Sequence, residues 1–149
     1  MIKTSTFQVS DVRLDYFEYK NLPHSGGDRL AAAASYEPGD IKYDSESRCF
    51  SGPFGIGMRF ILEKSIKNPE DSEFYAEIHI SSQITMSDVD EDSRELFRRM
   101  FFINGVTTLL PILRGHLAAA TAALGLITPL IIPNVNVQEL ANDFLAGQD

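Results

Sequence analysis

Three histidines, one cysteine, a glycine cluster and an acidic run are the residues of this chain best suited to chemistry. His24, His79 and His116 are scattered, and none stands at metal-ligand spacing from another His or Cys. His79 falls on the polar side of an alternating segment and reads as a solvated side chain. Cys49, beside Phe50, would need a positioned base to act as a nucleophile and reads instead as an inert buried thiol. Gly52-x-x-Gly55-x-Gly57 has the glycine content of a phosphate loop. It lacks the P-loop lysine and the helix that must follow. Asp88-Val89-Asp90-Glu91-Asp92 lacks the glycine and the closing glutamate of a calcium loop. It reads as the solvated entrance to a helix, with Arg94, Arg98 and Arg99 at helical spacing to pair with the acids. These residues define no catalytic constellation and call for no cofactor or metal.

The elements that carry them read as strands followed by helices. Phe7 to Ser10 alternates, and Val12, Leu14 and Tyr16 alternate in the opposite phase, which predicts a bulge or a kinked long strand. Asn21 to Asp28 is loop chemistry. Leu30 to Tyr43 predicts strand on both sides of Pro38-Gly39, and Gly52-Pro53-Phe54-Gly55 predicts a turn. Met58 to Ile66 predicts a strand with Met58, Phe60, Leu62 and Ile66 on its apolar face, and a hairpin loop follows over Lys67 to Ser72. In the clearest strand, Phe74, Ala76, Ile78, Ile80, Ile84 and Met86 share one face. Tyr75, Glu77, His79, Ser81, Gln83 and Thr85 share the other, the mark of an antiparallel sheet covered on one side.

Ser93 to Phe102 predicts a helix with Leu96, Phe97, Met100 and Phe101 on one side. The next helix carries Val106, Leu109, Leu110, Leu113, Leu117, Ala120 and Leu124 at three- and four-residue steps, with Gly125 as its C-cap. The last helix opens at Asn136 with Glu139 at capping-box spacing, and Val137, Leu140, Ala141, Phe144 and Leu145 form its stripe. Strands first and helices after predict an α+β fold with helices on one face of an antiparallel sheet. At 149 residues the chain is expected to form a single domain over positions 1–149.

Charge and cysteine content narrow the function. With 13 basic against 21 acidic residues, the net charge is -8, which argues against non-specific nucleic-acid binding. A lone cysteine cannot form an internal disulfide, so a cytoplasmic location is expected. The polar opening Met1 to Thr6 predicts no signal peptide. Pro111, Arg114, His116 and Pro129 interrupt the most apolar stretch, so no membrane insertion is expected.

What remains is apolar surface. The connector Ile127-Thr128-Pro129-Leu130-Ile131-Ile132-Pro133 is greasy and held extended by two prolines, although connections normally run over wet surface. It must be buried in an assembly or wall a site for something apolar.

At this point the sequence resembles the bacterial export chaperone SecB. Phe7-Gln8-Val9-x-x-Val12 is similar to the family's opening strand, and Phe74-x-Ala76-Glu77-Ile78 with Ile84 to its Phe-x-Cys-Glu-Val strand. Leu110-Pro111-Ile112-Leu113-Arg114 resembles its Phe-Pro-Tyr-Ala-Arg helix. Pro129-Leu130-Ile131-Ile132-Pro133-Asn134-Val135-Asn136 resembles its proline-bracketed connector. The resemblance implies a four-stranded antiparallel sheet with two C-terminal helices on one face, assembled as a dimer of dimers. It implies an ATP-independent holdase for unfolded or precursor proteins. Phe74, Ala76 and Ile78 would line the client groove, flanked by Leu130, Ile132, Val137, Leu140 and Phe144. Leu109, Leu113, Leu117 and Leu124 on the long helix would form the subunit interface. Glu77 matches an acid that contacts the translocation motor SecA, but the family's pair of acids on the first strand has no aligned match, Asp15 and Glu18 being only nearby. A chaperone dedicated to one client, such as an antitoxin, stays open, as does a structural homo-oligomer without clients. A small hydrolase or isomerase would need convergent polar groups that the sequence does not supply.

Overall fold

The computed structural model describes residues 6–20 and 30–123, together with positions 139, 142, 143 and 146. Within them the chain forms five strands and one long helix: β1 (Phe7–Lys20), β2 (Leu30–Pro38), β3 (Lys42–Asp44), β4 (Cys49–Leu62), β5 (Tyr75–Ser87) and α1 (Arg94–Ala123). All strand pairings are antiparallel, in the order β1-β5-β4-β2, with β3 also on β4. The α+β class is as expected. The expected four strands become five because the chain breaks at Gly39 to Ile41. β2 pairs with Phe54 to Leu62 and β3 with Cys49 to Ser51, so the two share one lane beside β4.

The phase change in β1 is a real irregularity. Pairing with β5 shifts between Ser10 and Arg13 and again between Leu14 and Tyr16, and Asp11 adopts φ 52, the left-handed conformation that a bulge can demand. The alternation of β5 also holds. Phe74, Ala76, Ile78, Ile80, Ile84 and Met86 are all buried.

Three expectations are corrected. Gly52 to Gly55 is no turn but the middle of β4, and Phe54 is fully buried. Gly39 donates its N–H to the Pro53 carbonyl. In a strand the N–H and C=O of one residue point to the same side, so the donor that proline lacks faces the gap between β2 and β3. Ile66 does not extend the apolar face of β4, because the strand ends at Leu62 in a 3-10 turn and Ile66 projects into solvent. The two helices expected over Ser93 to Leu124 are one element, continuous through Asn104-Gly105 and Pro111. Its inward face is Phe97, Phe101, Phe102, Gly105, Val106, Leu109, Leu110, Leu113 and Leu117, whereas Leu96 points outward. By length and composition Glu91–Ala123 could cross a membrane, and 44% of its apolar window is buried within the chain.

Gly105 explains how the helix seats. A Cβ there would lie 2.9 Å from the ring of Phe54. That ring is itself wedged at 5.4 Å from Phe101 and 5.8 Å from Phe102, edge to face with both. It cannot yield without moving two more aromatics. Gly105→Ala is therefore expected to destabilise the fold by about 1–3 kcal/mol despite alanine's better helix propensity. A thermal melt unchanged by the substitution would mean the ring has room to move.

Candidate functional site

The face of the sheet away from α1 is where the polar residues converge. On β5 it carries Tyr75, Glu77, His79, Ser81, Gln83 and Thr85. The register places Gly57 beside His79 and Gly55 beside Ser81 on β4. Gly55 leaves space for the His79 ring, since a Cβ there would stand 3.1 Å from its Cε1, and a Cβ at Gly57 would meet Ser35 Oγ at 2.7 Å and the ring's Cδ2 at 3.2 Å. The cleared backbone lets the imidazole lie across β4 toward β2. Nδ1 is 2.6 Å from Asp15 Oδ2 on β1 and Nε2 is 2.8 Å from Glu37 Oε2 on β2. Tyr16 stacks on the ring at 5.5 Å and 7°. Asp15 also accepts a hydrogen bond from Ser81 Oγ at 2.9 Å and lies 3.4 Å from Arg13 Nε. His79 is thus buried and doubly engaged, which corrects its reading as a solvated side chain. One side chain ties β1, β5 and β2 together across β4.

A second cluster adjoins it. Glu77 accepts hydrogen bonds from the hydroxyls of Tyr16 and Tyr75. It also lies 3.7 Å from Arg59 Nη2, whose guanidinium sits 5.7 Å above the Tyr75 ring. Burial, and then Glu77 itself, pushes the phenols of Tyr16 and Tyr75 above their ordinary 10.0. A folded-state value above the unfolded one means a contribution that is complete below about pH 10 and lost as pH rises through the folded value. Urea unfolding near pH 11 should therefore show lower stability than near pH 8, and Glu77→Gln should narrow the difference. An identical difference in the variant would show that Glu77 plays no part.

This arrangement neutralises charge rather than preparing it for reaction. Each acid of the two clusters meets a base or hydroxyl. Both nitrogens of His79 are taken by separate carboxylates, and among the described residues no group of three His, Cys, Asp or Glu is placed to hold a metal ion. Cys49 is partly buried, 3.3 Å from its neighbour's carbonyl oxygen. In the acidic run, Asp90 pairs with Arg48 at 2.9 Å rather than with the following helix, while Glu91 meets Arg94 at 3.9 Å.

The expected site residues fall into three groups. Phe74, Ala76 and Ile78 sit in the buried core beneath α1, without side-chain exposure to a client. Leu109, Leu113 and Leu117, expected at a subunit interface, are likewise packed on the chain's own sheet, because they lie on the same helix face as Phe101 and Val106. Glu77 is on the outer face but held by three partners, its side chain 19% exposed. Leu124, Leu130, Ile132, Val137, Leu140 and Phe144 lie outside the described residues, as does the Asn21 to Asp28 loop. Of the last helix, positions 139, 142, 143 and 146 are helical and exposed. Apolar surface does remain open along β1, at Val12, Leu14 and Tyr19. From sequence, Asp15 is only a near-match to the family's first-strand acids, and nothing singles out Glu37 or Arg59. The signal for a cluster here was Gly55 and Gly57, two glycines on one strand face leaving space for a large neighbour.

The antiparallel sheet in the order β1-β5-β4-β2 with a long helix across one face is similar in fold to a solved SecB-like chaperone. The SecB-like chaperone Rv1957 of Mycobacterium tuberculosis, solved in complex with a ChAD peptide from the Rv1956 HigA1 antitoxin, matches with a TM-score of 0.56 and 16% identity over 87% of this chain and 91% of that one. A protein of unknown function from Streptococcus agalactiae aligns at a TM-score of 0.43 and 12% identity, over 87% of this chain and 97% of that one. No family model and no curated protein matches the chain by sequence.

Proposed function

We propose that this protein is a SecB-like chaperone that holds unfolded or extended polypeptide segments without nucleotide, and that it serves a dedicated client. The fold shared with a chaperone solved with an antitoxin peptide bound carries the reading. Holding is mass action: a bound unfolded segment is withdrawn from the population that folds or aggregates. In this reading the proline-bracketed connector and the last helix flank the client site through Leu130, Ile132, Val137, Leu140 and Phe144. A cytoplasmic dimer of dimers covers the apolar row on β1, and a long client gains affinity by touching several subunits. Purified protein should keep a denatured client soluble without ATP and run at several times its 16.6 kDa chain mass. Unchanged client aggregation at excess chaperone would contradict the first expectation, and a monomer mass by light scattering the second.

A general role in protein export coupled to SecA is the second reading. Its one point of support is Glu77. The hydroxyls of Tyr16 and Tyr75 and the Arg59 guanidinium already engage that carboxylate, so a motor contact would have to displace them. Recovery of many secretory precursors from a lysate, rather than one small protein, would favour export.

A further inference from the structure

We infer that the outer face beside β2 docks an extended client segment bearing an aliphatic side chain and, two residues away, a carboxylate. This rests on the chaperone reading and specifies the client it takes. Among the described residues β2 is an edge strand, and four of the seven residues from Leu30 to Tyr36 are alanine. It carries no charge or proline there, the devices that usually stop an edge from accepting another strand. Such an edge suits an extended backbone. Beside it lies a cleft of about 300 Å3 walled by Ala31, Ala33, Ile61 and Ile66. Ile66 is 56% exposed, and the alanine methyls leave space for aliphatic side chains from a partner.

Charge selects the rest. The cleft continues past Pro69 and Arg59 into a second of about 420 Å3 that includes Lys20 and Tyr75. Two bases and one acid, Glu70, line the pair of clefts, the reverse of the balance in a chain of net charge -8. The Arg59 side chain is 48% exposed and its pair with Glu77 is long at 3.7 Å. Its guanidinium also engages Tyr75, and a fork of five N–H donors has room for a further carboxylate beside these partners. Ile61 and Arg59 are two residues apart on one strand face, about 7 Å, which sets the same spacing in an extended partner. Lys20 adds a second cation at the far end.

The test uses the full chain and two labelled peptides, identical except that the residue two positions from an isoleucine is Asp in one and Lys in the other. Fluorescence anisotropy should show the Asp peptide binding about three- to tenfold more tightly. Arg59→Glu should invert that preference. Ile66→Ser, at an exposed position that the fold does not need, should weaken the Asp peptide about threefold. If the wild type holds a denatured client yet binds both peptides equally, and neither variant changes binding, the docking site is overturned while the chaperone reading stands. If the wild type binds neither client nor peptide, both fall.

Discussion

Replacing Phe54 with alanine is expected to remove about 3–5 kcal/mol of stability, the largest loss from any single truncation of this core. The ring is fully buried at the centre of β4, where the sheet meets α1. It stands edge to face with Phe101 and Phe102 and fills the space that Gly105 leaves open. Truncation would leave a cavity walled by two aromatic rings and helix backbone. None of these can collapse into it without unseating α1. Domains of this size are stable by about 5–15 kcal/mol, so the variant should stand near its unfolding midpoint at moderate temperature. Urea unfolding followed by circular dichroism reads the loss directly. A midpoint shift worth less than about 1 kcal/mol would mean that the helix does not bear on this ring. Phe54→Leu should recover most of the loss, since it restores volume without the edge-to-face geometry.

Replacing His79 with alanine should cost about 2–3 kcal/mol, the value of hydrogen bonds to charged groups left unmade. The two carboxylates are not equal partners. The Asp15 side chain is 25% exposed and that of Glu37 62%, and an ion pair open to water contributes little. A double-mutant cycle should therefore find a larger coupling between His79→Ala and Asp15→Asn than between His79→Ala and Glu37→Gln. Equal couplings, or a His79→Ala variant as stable as wild type, would show that the imidazole does not tie the strands.

The contrast between these two sites marks what could be read from sequence. The burial of Phe74 through Met86 was legible because a strand alternates with period two and states its own faces. The opposed phases of Phe7–Ser10 and Val12–Tyr16 likewise announced the bulge at Asp11. Phe54 was not legible, because Gly52-Pro53-Phe54-Gly55 is locally ideal turn chemistry and only tertiary packing overrides it. Gly55 exists to admit His79, and Gly52 faces Phe101. The break expected near Asn104-Gly105 failed for the same reason. That glycine is a seat for Phe54 rather than a helix end. His79 meets Asp15 and Glu37 across 64 and 42 residues of sequence, and no local pattern connects them. The core leucines of α1 were placed on the correct helix face, but the periodicity that finds such a face does not say whether it meets the chain's own sheet or another subunit.

Binding of a permanently unfolded polypeptide, compared with the native form of the same polypeptide, tests the chaperone reading most directly. Titration of the intact protein into each labelled form, without nucleotide, is expected to give saturable binding to the unfolded chain and none to the folded one. Equal binding to both, or binding to neither at excess protein, would contradict it.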